Sequence, residues 1–201
     1  FAFMIAEGCY YTSNVKKYML RLFLFAIISE IPFNLIMGSS VFYPFHQNVL
    51  WTFLLGVLSI QIIEKAKKKQ KKWISFFVVC LVLLMDFLLG TITMVDYNAA
   101  GILTVLLFYF FRKKTWISFA AQLVGLYYLN VVMLGNLYYP VTILGHHFEI
   151  AQQSFALLAL IPIWLYHGEQ GYHSKWFKYF CYAFYPVHLL ILVVIWQWRI
   201  R

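Results

Sequence analysis

KAKKKQKK, Lys65 to Lys72, runs directly into WISFFVVCLVLLMDFLLGTI, Trp73 to Ile92. The first stretch sets six lysines within eight residues; the second carries a single charge, Asp86, in twenty. A helix that crosses the hydrocarbon core of a bilayer needs about 20 mostly apolar residues, and clustered lysines mark the cytoplasmic side of such a helix and the anionic headgroups there. The pair therefore reads as a cytoplasmic hinge followed by a membrane span. A β-barrel is disfavoured, because Ile74 to Leu84 is apolar throughout but for Ser75, where a barrel strand would alternate.

The whole chain has the same character. Of its 201 residues 63% are hydrophobic and 11% charged, with a net charge of +9. Soluble domains hold about 25% charged residues, so this chain lacks the polar surface to coat a water-facing globule, and it is too apolar to stay disordered. Cys9, Cys80 and Cys181 are widely spaced and sit in or beside apolar runs, where they read as small hydrophobes and not as a disulfide or metal framework.

Further apolar segments are expected at about 18 to 37, 47 to 64, 97 to 111, 115 to 135, 150 to 166 and 176 to 197, with 73 to 92 already described. Phe1 to about Tyr11 is expected to be the tail of a longer helix, since the chain opens inside an apolar run and is read as truncated at its N-terminus. The expected fold is all-α, a polytopic transmembrane helix bundle of about eight segments in a single domain, 1–201. The fifth and seventh segments are short, so tilted or re-entrant paths suit them. Fourteen of the 16 basic residues fall in odd-numbered connections, and the even-numbered ones, 38 to 46, 93 to 96 and 136 to 149, hold none. Odd connections are therefore expected to be cytoplasmic, and the lysine runs to serve topology, not nucleic acid. Arg199 and Arg201 depart from the pattern, which a last segment that fails to cross fully would explain.

Ionisable groups inside such runs are costly and mark candidate sites. Glu7, Glu30, Asp86 and His188 stand out. Glu30 and His188 each neighbour a helical proline, in Ser29-Glu30-Ile31-Pro32-Phe33-Asn34 and Phe184-Tyr185-Pro186-Val187-His188. Proline frees a carbonyl upstream that must face protein or water, so the two motifs point to an internal polar cavity. His188 and Glu30 either satisfy one another structurally or act together, with His188 as general base and Glu30 orienting it. Gly145-His146-His147-Phe148-Glu149 reads as an exposed loop; no metal is expected there. Tyr166 to Trp176 differs from the other connections. Gly168 and Gly171 allow close backbone approach, and Lys175 and Lys178 open the next helix, a setting that suits either a plain turn or the phosphates of a cytosolic cofactor.

These residues also carry a family likeness. Phe1-Ala2-Phe3-Met4-Ile5-Ala6-Glu7-Gly8, then Thr12, Asn14, Lys17, Tyr18, Arg21 and Leu22, the Glu30 motif, Asn48-Val49 with Thr52 and Leu55-Gly56, Gln153 to Leu158, and Phe184 to Leu190 together resemble the TraX family along nearly the whole chain. Family members carry an Asp-His pair in a helix that would precede Phe1. The resemblance implies a multi-pass protein of the bacterial inner membrane, tied to N-terminal acetylation of a conjugative pilin, and a distant likeness to membrane acyltransferases that use cytosolic acetyl-CoA. On that footing acetyl-CoA would bind near Gly168, Gly171, Lys175 and Lys178. His188, Glu30 and Glu7 would form the catalytic set, with Asn34, Asn48 or Tyr185 stabilising an oxyanion. The acceptor would be pilin or another envelope molecule. Two other readings use the same residues: a transporter or flippase-like protein with a mid-membrane His/Glu site, and a non-catalytic pilus assembly factor.

Overall fold

Eight α-helices and one two-stranded sheet make up the computed structural model among the residues it describes, 1–135, 137–143, 146–169, 171 and 174–200. The helices are α1 (Ala2–Tyr11), α2 (Val15–Gly38), α3 (Val49–Lys69), α4 (Lys72–Ile92), α5 (Asn98–Phe110), α6 (Trp116–Tyr127), α7 (Leu160–Leu165) and α8 (Lys175–Ile200). The all-helical bundle expected from hydropathy is what forms. Five stretches are long and apolar enough to cross a membrane: Val15–Gly38, Val49–Lys69, Lys72–Ile92, Trp116–Met133 and Tyr179–Trp198. The chain is a membrane protein.

Capping residues set several helix starts. Asn14, Asn48 and Thr115 accept from the backbone N–H of Lys17, Leu50 and Ser118, at the beginnings of α2, α3 and α6, satisfying donors that have no partner within the helix. Ser39 ends α2 in the left-handed conformation. Pro32 and Pro186 lie inside α2 and α8, and each helix continues through its proline.

α3 and α5 form the centre. Val57, Ile60, Ile63, Ile102, Val105 and Leu106 are almost wholly buried, and α3 packs on α2, α4 and α5 while α5 also packs on α1 and α6. Two glycines permit these approaches. A Cβ on Gly90 would lie 2.6 Å from Ala99 Cα, and one on Gly56 would lie 3.0 Å from the Val105 side chain. Small residues at such crossings let helix backbones meet where lipid supplies no hydrophobic drive. α8 packs on α2 at the periphery. The outer faces of α4 and α8 expose Phe76, Phe77, Leu81, Ile191, Val194 and Ile195, an arrangement that suits lipid and not water.

The structure departs from the expected layout in two places. The connection over 136–149, expected as a loop, contains an antiparallel hairpin of β1 (Tyr138–Ile143) and β2 (His146–Ala151), pairing Tyr138 with Ala151 and Thr142 with His147. Aromatic and β-branched residues, Tyr138, Tyr139, Val141, Thr142 and Ile143 on one strand and Phe148 and Ile150 on the other, favour strands. The seventh segment begins as a 3₁₀ helix, Gln152–Ala159, and continues as the six-residue α7. At their respective rises the two cover about 25 Å, short of the ~30 Å hydrocarbon core. α8, by contrast, has 26 residues, ample for a crossing, so the basic residues at its end are not explained by a partial span.

Candidate functional site

Glu30 gathers the polar groups at one end of the bundle. Its Oε2 accepts from Asn48 Nδ2 and, at 3.0 Å, from Trp51 Nε1. Its Oε1 is buried and has no hydrogen-bond partner among the described residues. Asn48 is fully buried and also donates to the Ala26 carbonyl at 2.9 Å, while its Oδ1 caps Leu50. One side chain therefore joins α2 to the first turn of α3 and aims the carboxylate.

The connections 39–48 and 93–97 close over this cluster. They pair through Gln47 N–H to Met94 O at 3.0 Å and Asp96 N–H to Gln47 O at 2.9 Å. His46 Nε2 lies 3.4 Å from Asp96 and its ring stacks on Phe33 of α2. Thr52 of α3 donates to the Asp96 carbonyl at 2.8 Å. Burial pushes the Asp96 carboxyl up from the usual carboxylate range, and the neighbouring His46 pulls it partly back. Asn34, one turn beyond Glu30, donates to Val41 O at 3.1 Å and leaves its buried Oδ1 unpaired among the described residues. These connections thus descend along α2, which runs eight residues, about 12 Å, past Glu30.

α8 completes the cluster. Tyr185 lies beside the backbone of Val49 and within electrostatic reach of Asp96, Glu30 and Tyr97. His188 is at the middle of the apolar stretch Tyr179–Trp198, three residues past Tyr185 on the same face of α8. Its ring and hydrogen-bond partners among the described residues are on its own helix: the ring stacks on Phe184 at 5.4 Å and meets Tyr185 at 5.5 Å, and Nδ1 donates to Phe184 O at 3.3 Å. A carbonyl only accepts, so Nδ1 is the donor in this bond, and in a neutral imidazole that tautomer leaves the lone pair on Nε2. Further toward the basic end, Arg21 Nε donates to Tyr182 OH at 2.8 Å and Phe25 stacks on Tyr182. The α2/α8 seam therefore leads from a cation at one end to the Glu30 cluster at the other.

Of the residues expected to form a site, Glu30, Asn48 and Tyr185 come together, Asn34 and His188 lie one turn away on α2 and α8, and Glu7 is elsewhere. Glu7 is buried in α1 at the opposite end and forms a two-pronged ion pair with Arg112, at 2.6 and 3.1 Å. The bond holds the guanidinium still further from deprotonation, and Tyr10 stacks beneath it at 3.6 Å. This geometry is that of a satisfied structural pair. Gly168 sits with φ +81°, a conformation other residues rarely adopt, facing Tyr11. No described residue lies within 4 Å of a Cβ on Gly171. Lys175 and Lys178 occupy the first turn of α8; their side chains lie outside the described set, as does the backbone of Gly145. His147 bonds Thr142 across the hairpin at 2.9 Å, and no three His, Cys, Asp or Glu side chains converge as metal ligands among the described residues.

Sequence reasoning passed over Trp51, His46 and Asp96 as parts of the site, and the Arg112 ion pair. Trp51 follows the Asn48 cap by three residues, the one signal that would have placed it beside Glu30.

No curated protein sequence and no solved structure matches the chain. A family model does: that of the TraX protein, over residues 1–196 of 201. The match takes in α1 with Glu7, the Glu30 cluster and nearly all of α8, and with it the chain belongs to the TraX family, which ties this membrane protein to conjugal transfer.

Proposed function

We propose that the protein is an integral membrane acetyltransferase that moves an acetyl group from cytosolic acetyl-CoA to an amine or hydroxyl of an envelope acceptor, a pilin N-terminus being the one the family suggests. The observation that carries this reading is the Glu30 cluster: a carboxylate held by Asn48 and Trp51 with its second oxygen unpaired, beside Tyr185 and one turn from His188. An unpaired buried acceptor is costly, and an acceptor N–H or O–H bound to Glu30 Oε1 removes that cost and orients the nucleophile.

The chemistry asked of these side chains is acyl transfer. The acceptor nitrogen or oxygen attacks the thioester carbonyl carbon, the C–S bond breaks, and the acetyl group ends on the acceptor. His188 Nε2 takes the acceptor's proton and the thiolate leaves, to be protonated in turn. The Tyr185 hydroxyl, or the amide of Asn34, serves as donor to the oxyanion that develops at the carbonyl. The donor enters from the end that carries the lysines and Arg21.

The test is transfer of labelled acetyl from acetyl-CoA to peptides copying envelope-protein N-termini, using purified protein in nanodiscs. His188→Ala is expected to lower the rate by about 10²–10⁴-fold, the range of general-base contributions, with Glu30→Gln reducing it as well. Undiminished transfer in both variants would overturn the assignment.

A further inference from the structure

A second site lies at the other end of the bundle, where α1 meets two connections far apart in sequence, the one before α6 and the one after α7. A half-open cleft of about 260 Å³ is lined by Tyr11, Arg112, Lys113, Lys114, Trp164 and His167, among others. Its cations do different things. Arg112 is held by Glu7 and Tyr10. Lys114 donates to the carbonyls of Trp164, at 2.9 Å, and Tyr166, tying the loop before α6 to the loop after α7. The Lys113 side chain is exposed and has no hydrogen bond or ion pair among the described residues, its backbone carbonyl accepting from Thr115 N–H at 2.9 Å, and the His167 side chain likewise has neither.

Glu7 is the single carboxylate among the lining residues, so the cleft keeps two uncompensated positive charges with His167 neutral. Fixed cations around a concave wall focus a positive potential on a small volume. On the far side of Trp164 and Lys114 a second opening of about 380 Å³ is lined by Thr115, Trp116 and Phe119. A charged compartment thus shares a wall with an aromatic one.

We propose that this pair of compartments binds a phosphate ester, the phosphate on Lys113 with Arg112 and His167 beside it and the apolar or flat remainder against Trp164 and Trp116. The cleft is smaller than the ~300–1,000 Å³ of sites that engulf a drug-sized ligand, which suits one phosphorylated end of a longer molecule. Two sources supply that chemistry: a soluble nucleotide-type ester such as coenzyme A, in which case the inference rests on the acetyl-transfer reading and moves the donor's phosphates from the start of α8 to the loop before α6, or the headgroup of an anionic lipid.

Equilibrium binding of labelled coenzyme A to the protein in phosphatidylcholine nanodiscs, with native mass spectrometry of lipid retained from phosphatidylglycerol discs, tests it. Lys113→Gln is expected to weaken coenzyme A binding by about tenfold, the worth of one charge-assisted hydrogen bond, and His167→Gln to weaken it less. Lys68→Gln, another exposed lysine of the same face, is expected to leave it unchanged. Loss of retained phosphatidylglycerol in Lys113→Gln, with no coenzyme A bound by any form, would assign the site to a lipid headgroup. Coenzyme A binding and lipid retention both unaltered in Lys113→Gln and His167→Gln would overturn the proposal. Binding that depends on Lys113 without any acetyl transfer would keep the site and remove the acetyltransferase reading; transfer with Lys113-independent affinity would do the reverse.

Discussion

Asn48 does three things with one amide. It caps α3 through Oδ1, and its two N–H groups reach the Ala26 carbonyl and Glu30 Oε2. Each partner is buried or half-buried, so water does not readily replace what the side chain supplies. Asn48→Ala leaves a carbonyl, a carboxylate oxygen and a helix N–H short of partners, and is expected to cost about 1–3 kcal/mol, toward the low end of what one orphaned buried group plus a lost cap would give in water, because interhelical bonds in membranes return less than expected. Thermal unfolding in detergent measures it. Asn48→Asp keeps the cap but sets a second carboxyl against Glu30, and is expected to destabilise as much or more at neutral pH.

At the scale of elements, much was legible because the bilayer imposes it. A run such as Trp73 to Ile92 has few alternatives to a helix in hydrocarbon, and α4 occupies Lys72–Ile92. The candidate site was legible in part: Glu30 and His188 are ionisable groups that a span does not need, and Asn48 and Tyr185 stand in polar patches near them. What joins these side chains was not. Glu7 and Arg112 are 105 residues apart, Arg112 is accounted for locally by the end of α5, and only helix packing decides that they meet. The packing itself rests on contacts that hydropathy does not see. At Gly90, α4 approaches the start of α5 so closely that a side-chain carbon would lie 2.7 Å from Ala99 N; backbone cannot yield as a flexible side chain would. Gly90→Val is expected to lower stability by about 1–3 kcal/mol or more through overpacking and to shift Thr52 and Asp96, which lie on the same packed layer. Gly171→Ala, whose Cβ meets no described residue, serves as the neutral comparison in the same unfolding assay.

At the scale of the molecule, the charges and the packing point the same way. The lysines of 65–72, the Arg112–Lys114 loop and the start of α8 lie at helix ends that share one side, where Lys67 reaches Tyr109, Tyr109 reaches Glu64, and Lys114 reaches the loop after α7. The connections 39–48 and 93–97, which hold no lysine or arginine, pair with each other on the other side. If the basic side is cytoplasmic, as the positive-inside rule requires of short loops, then the Arg112–Lys114 cleft faces the cytosol and the Glu30 cluster lies toward the outer leaflet, and on the proposed acetyl-transfer reading donor and acceptor approach from opposite faces. This orientation is directly measurable. With Cys9, Cys80 and Cys181 replaced, a cysteine at Lys68 is expected to react with a membrane-impermeant maleimide only when cells are opened. One at Phe42, which is 76% exposed, is expected to react from outside intact cells. The reversed pattern would invert the bundle, and with it the direction from which the proposed acceptor would reach Glu30.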